Sequence, residues 1–132
     1  MQQLNLCSHC VSFVEVIKAK LARRLTDETI HDAVEMWCNP ATRQAVVDKY
    51  GEIGDWDVSR VTSMSMLFRG QKDFNENISR WDTSNVTDMG YMFAGASSFN
   101  QPLEGWNTTN VTTMHGMFDG TSWFLQKPSW YK

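Results

Sequence analysis

WDVSRVTSMSMLFRGQKDFNENISR at residues 56–80, WDTSNVTDMGYMFAGASSFNQPLEG at 81–105 and WNTTNVTTMHGMFDGTSWFLQKPSW at 106–130 are three versions of one 25-residue unit, joined without insertions. Seven columns are identical in all three: Trp56/81/106, Val61/86/111, Thr62/87/112, Met64/89/114, Phe68/93/118, Gly70/95/120 and Phe74/99/124. Two more are nearly so, Leu67/Met92/Met117 and Ile78/Leu103, with Pro128 in the third place of the latter. Five of the seven invariant columns hold large or branched apolar side chains. One unit of this size cannot close a core of its own, whereas like stacked on like buries continuous columns of Trp, Val, Met and Phe. Methionine suits such a column because its flexible thioether fills gaps between rings, so the methionine stripe reads as core and not as a metal or redox site.

Within each unit the spacing predicts a short helix. Thr62, Thr87 and Thr112, or the next residues Ser63, Asp88 and Thr113, are N-cap types. Met64, Leu67 and Phe68 then fall at i, i+3 and i+4. Gly70, Gly95 and Gly120 follow where a helix end needs positive φ. The stretch around Ile78 and Leu103 reads as a short extended strand. The expected fold class is therefore α/β: a short leucine-rich-repeat-like solenoid of three 25-residue strand–turn–helix coils, residues 56–132, with an aromatic C-terminal end.

Working outward toward the N-terminus, residues 26–55 read as a helical cap on the first coil. Thr26 is a natural N-cap with Leu25 and Ile30 as a hydrophobic staple, and Ile30, Ala33, Val34 and Trp37 keep helical spacing. Asn39-Pro40 ends that helix and opens a second, in which Ala45, Val46 and Tyr50 face inward and which Gly51 stops. Residues 1–25 form a basic segment, helical or extended, with Lys18, Lys20, Arg23 and Arg24 against Glu15 alone. Its charge allows a targeting segment or a membrane-surface helix beside the plainer reading of an ordered structural segment.

The string W-D-x-S-x-V-T-x-M-x-x-M-F-x-G-A-x-x-F-N, clearest at Trp81–Asn100, resembles the BspA-type leucine-rich-repeat family. The resemblance covers residues 56–130 and extends loosely to Leu25–Asp55 through Leu-Thr-Asp, Met-Trp and Tyr-Gly-x-Ile-x-Asp-Trp-Asp. It implies a non-enzymatic recognition or scaffold protein with an α/β leucine-rich-repeat-like coil, in a family associated with surface attachment and protein binding. The last unit departs from the pattern: Leu125 replaces Asn and Pro128 replaces the aliphatic residue.

The whole chain has 132 residues and a net charge of −3, which gives no general case for nucleic-acid binding. No apolar run is long enough for a membrane span. Three cysteines argue against a secreted disulfide scaffold. Cys7 and Cys10, with His9 between them, have C-x-x-C spacing, which allows a zinc half-site or a redox pair, but one half-site is short of the four ligands of structural zinc, and reduced, partly buried thiols are the favoured reading. His115 shares its column with Ser65 and Gly90, a position that tolerates anything and so reads as surface. Asp57, Asp82 and Asn107 share another, better explained as turn formers than as acid–base catalysts. Asn77, Asn85, Asn107 and Asn110 lie in N-glycosylation triplets, which matter only in an exported protein. No phosphate-binding glycine loop and no H-E-x-x-H motif occurs.

These features lead to the expectation of a non-enzymatic structural subunit or protein–protein interaction module, without metal or cofactor, within a larger assembly. The lack of a signal peptide favours an intracellular or assembly-bound setting. Trp123, Phe124, Trp130 and Tyr131 crowd the last unit, with Tyr131 one period after Trp106, and either cap the coil themselves or dock on a partner. The alternative is a surface adhesion module that binds protein or glycan through Asn77, Ser79, Glu104 and Ser129. An enzyme with an unrecognised site is the least supported reading.

Overall fold

The computed structural model describes residues 12–121 and 127–131. Its elements are α1 (Phe13–Ala22), α2 (Ile30–Cys38), α3 (Arg43–Tyr50) and a single 3-10 turn, Ile53–Asp55. The chain then runs to its end through turns and bends.

The α/β class is overturned. Among the described residues there is no strand and no sheet, and all regular secondary structure is helical and lies before Trp56. Pairing between extended segments is limited to isolated parallel bridges, Arg24 with Asp57, Ser63 with Asp88 and Asp88 with Thr113. The helix expected at Met64–Phe68 is absent, and the backbone shows why. Met66 and Tyr91 have φ of 59° and 54°, and Gly116, in the same column, has 64°. A left-handed residue in the middle of the segment stops a right-handed helix from propagating.

The amides of this segment then alternate between two kinds of partner. Leu67 and Arg69 donate locally, to the carbonyls of Met64 and Met66, closing tight turns. Met64, Met66, Phe68 and Gly70 donate out of the coil, to the carbonyls of Asp88, Gly90, Met92 and Ala94 at 2.8–2.9 Å. The next coil repeats this: Met89, Tyr91, Phe93 and Gly95 donate to Thr113, His115, Met117 and Asp119 at 2.7–2.9 Å. Half the donors a helix would use internally thus join one coil to the next, and buried backbone groups are satisfied without a helix or a sheet.

The threonines read as N-caps do a related job. Thr87 gives both its N–H and its hydroxyl to the Thr62 carbonyl, and Thr112 gives both to the Thr87 carbonyl. The expected strand fails for its own reason. The carbonyls of Ile78 and Leu103 accept the Nε1–H of Trp106 and Trp130, each at 3.0 Å, where a sheet would place a backbone amide.

The columns of like residues are physical columns. Trp56 stacks on Trp81 at 6.2 Å between ring centroids, and Trp81 on Trp106 at 6.5 Å with planes 1° apart. Phe68, Phe93 and Phe118 stack in turn at 5.4 and 5.7 Å, and Phe74 on Phe99 at 5.8 Å. Such aromatic pairs contribute about 0.5–1.5 kcal/mol each beyond the area they bury. Val61, Val86, Met64, Met89, Ile78 and Leu103 are fully buried between them.

Upstream, α2 buries Ile30, Ala33, Val34 and Trp37 against the first coil, and Trp37 sets its edge on Trp56 at 6.1 Å. The helix starts later than Thr26: Thr29 is the cap residue, and its Oγ1 accepts the Thr26 N–H at 2.9 Å. Asn39 caps a turn, its Oδ1 accepting the Ala41 N–H, and α3 begins at Arg43 with Val46 buried, Tyr50 half-buried and Ala45 exposed. Residues 13–22 of the basic segment are helical, yet α1 buries none of them.

Candidate interaction surface

Stacking with a fixed register of hydrogen bonds gives the stack two unlike ends. Between inner coils four amides of one coil donate to carbonyls of the coil after it, while the later coil's threonine donates its N–H and hydroxyl back to a threonine carbonyl of the coil before it. The first coil consequently needs something to meet its carbonyls and its threonine amide, and the last something to satisfy its forward-pointing amides.

Residues just before and within α2 close the first end. The Asp27 carboxylate accepts the Thr62 N–H at 2.8 Å, the Thr62 hydroxyl at 2.6 Å and the Ser63 N–H at 3.2 Å. His31 Nε2 lies 2.9 Å from the Ser65 carbonyl, the position equivalent to the acceptors Gly90 and His115 of later coils. Leu25 donates its N–H to the Asp57 carbonyl at 3.0 Å. Arg43 lies over the Trp37 ring at 4.8 Å and donates Nε–H to the Trp37 carbonyl, fixing the indole that covers the tryptophan column. Desolvation raises the Asp27 carboxyl, but its hydrogen bonds from Thr62 and Ser63, with the charge of His31, outweigh that and hold it below its ordinary value. Asp57 is held low in the same sense: Ser59 and Arg24 outweigh its desolvation.

Among the described residues the other end is only partly closed. Trp130 stacks on Trp106 at 6.3 Å, and Tyr131 sets its ring edge-on against Phe118 at 4.9 Å. Val111 and Met114 are half-buried, while their counterparts in the inner coils are fully buried. The amides of Met114, Gly116 and Gly120 have no hydrogen-bond partner among the described residues, although Met64, Met66, Gly70 and Met89, Tyr91, Gly95 in the same columns all do. Among the described residues this end thus combines an apolar patch with a row of donors that have no partner.

Of the eight residues proposed from sequence to meet a partner, Trp130 and Tyr131 sit at this end, while Trp123 and Phe124 lie outside the described residues. The polar four are occupied locally. Asn77 Oδ1 accepts the Ser79 N–H at 2.9 Å, and the Glu104 carboxylate accepts the N–H of Ser129 at 2.9 Å together with its hydroxyl. Those two bonds hold the Glu104 carboxyl below its ordinary value. Asp27 and His31 have no marker in the sequence, since nothing about Leu-Thr-Asp at 25–27 reveals that it faces a coil 35 residues away.

Elsewhere, a groove of about 270 Å³ is lined by Trp37, Cys38, Arg43, Lys72, Asp73 and Glu76 among others. Burial pushes the Cys38 thiol up, Glu76 adds to this and Arg43 opposes it, so the thiol is protonated at neutral pH and a poor nucleophile. His115 is exposed and lies edge-on to Tyr91 at 5.5 Å. Among the described residues no group of three His, Cys, Asp or Glu side chains is placed to hold a metal ion; Cys7, His9 and Cys10 lie outside them. No described helix is long and apolar enough to cross a membrane.

Residues 38–132 match the model of a family described as "Mycoplasma protein of unknown function, DUF285". No curated protein and no solved structure matches the chain. The match takes in the second half of the lid and every coil of the stack, and on that extent the chain belongs to the DUF285 family.

Proposed function

We propose that this chain is a non-enzymatic repeat protein that serves as a protein–protein interaction module or structural subunit, engaging its partner through the open end of the stack. The observation that carries this reading is the contrast between the two ends. One is closed by Asp27, His31 and Trp37, while the other leaves Val111 and Met114 half-covered beside amides that have no partner among the described residues. An apolar patch with unmet donors at its centre is the composition of a contact surface. The BspA-type resemblance of the repeats supports a binding role in the same sense. Adhesion through Asn77, Ser79, Glu104 and Ser129 has less support, because their polar groups already bond one another. The absence of catalysis is part of the proposal: the described thiol is held protonated, and His31 is engaged in the lid.

The test compares proteins retained from the native cell by the tagged chain and by its Val111→Lys and Met114→Lys variants. A stoichiometric partner held by the parent and lost from both variants, with unchanged thermal unfolding, supports the reading. Equal retention by all three overturns it.

A further inference from the structure

Resting on that reading of the open end, we propose that its occupant is another coil of this same 25-residue repeat, one whose carbonyl face carries no helical lid. The end presents the donor half of an interface the structure already contains twice. In both inner interfaces, amides two residues apart meet carbonyls two residues apart, and a threonine of the incoming coil gives N–H and hydroxyl to one carbonyl of the coil before it. At the open end Met114, Gly116 and Gly120 offer amides in those columns, and the Thr112 carbonyl stands where the next threonine would donate. Val111 and Met114 ask for a Val and a Met above them, which the V-T-x-M segment of the repeat brings in register with the carbonyls.

A second copy of this chain does not fit. Its matching carbonyl face lies under the lid, where His31 already holds the Ser65 carbonyl and Asp27 the Thr62 and Ser63 amides. Two open ends set face to face would oppose donor to donor. The complementary surface is therefore a coil whose carbonyl face is bare.

The probe is a synthetic peptide of residues 81–105 added to the full chain, with amide exchange followed at Met114, Gly116 and Gly120. Exchange at these three should slow at least tenfold, with Met64 and Gly70 unchanged. A peptide with Val86, Met89 and Phe93 replaced by alanine should have no effect. Because a free peptide must fold as it binds, a second arm joins the same 25 residues to the full chain after Lys132 through a Gly/Ser linker. Unchanged exchange in both arms overturns the proposal, as does equal protection by the alanine peptide. Concentration-dependent protection in the chain alone overturns it in favour of self-association. If Val111→Lys still releases the cellular partner while the peptide and fusion protect nothing, the open-end reading stands and the like-coil partner falls.

Discussion

Trp130, not Tyr131, continues the tryptophan column on Trp106: its ring lies 8° from parallel at 6.3 Å, and its Nε1–H reaches the Leu103 carbonyl at 3.0 Å. Strict periodicity assigns that place to Tyr131, and the backbone does keep the register there, the Tyr131 N–H donating to the Pro128 carbonyl as Trp106 donates to Leu103. The side chains depart from it by one residue, so that one ring covers Trp106 and the other Phe118. Trp130→Ala should therefore destabilise the chain by about 2 kcal/mol, below the 3–5 kcal/mol of a fully buried Trp because Trp130 is half-buried. Urea unfolding checks this, and a loss below about 0.5 kcal/mol would show that the column ends at Trp106.

Asp27 is the polar keystone of the lid. Asp27→Ala leaves the Thr62 and Ser63 amides and the Thr62 hydroxyl without their acceptor, an expected loss of about 1–2 kcal/mol for groups that water partly reaches. Amide exchange at Thr62 and Ser63 should quicken, with Thr87 and Thr112 unaffected. A global change without that local signature would count against the capping role.

The same carboxylate sets an acid limit on stability. Asp27 and Asp57 titrate in the folded chain below their ordinary value of 3.8, so their stabilisation is complete above that pH and is lost as pH falls through the lower folded values. Unfolding midpoints measured from pH 6 to pH 2 should be flat down to about pH 4 and fall below it. Asp27→Asn should flatten part of the fall. A midpoint already declining between pH 6 and pH 5 would point to other groups.

Glycine column 70/95/120 has φ of 75°, 75° and 76°, so Gly95→Ala forces an L-residue into left-handed backbone at a cost of about 1–2 kcal/mol. Space is not the obstacle, because a Cβ there meets Gly70 at an ordinary 3.5 Å. Met66, at φ 59° and nearly half exposed, already bears that strain. Met66→Gly should therefore leave stability within about 0.5 kcal/mol, the relief being offset by glycine's freedom in the unfolded chain. Thermal melts of the two variants should differ in this order, and equal losses would remove the conformational explanation.

The period and the core were legible because side-chain identity reports burial, and stacking demands identity at a fixed interval: Trp56, Trp81 and Trp106 follow directly from that. The local backbone was not. Apolar residues at Met64, Leu67 and Phe68 satisfy helical spacing, yet a two-step ladder with local turns places the same residues inward. A stretch of about one and a half turns gains too little from helix propagation to resist the pull of a neighbouring coil's carbonyls. Gly116 hinted at this, since glycine within so short a segment favours a left-handed turn. The amides at the end of the stack that lack a partner among the described residues leave no trace in composition, because every non-proline residue carries one.

Removing residues 1–51 strips the first coil of Asp27, His31 and Trp37 together, and also of the Gly51 carbonyl that accepts the Trp56 Nε1–H at 2.8 Å. Trp56 then faces water, and the Ser65 carbonyl and Thr62 amide lose their partners, several effects that each cost about 1–3 kcal/mol in a fold whose whole stability is only about 5–15 kcal/mol. The fragment should lose its sharp thermal transition. What folding remains would leave a bare carbonyl face at one end and the Met114, Gly116 and Gly120 amides at the other, a head-to-tail pairing that does not close and so grows. Light scattering should show large, concentration-dependent species where the full chain shows none of that growth. A soluble, monomeric fragment with a cooperative melt would mean that the coils stand without the lid, and the protective role of Asp27 and His31 would go with it.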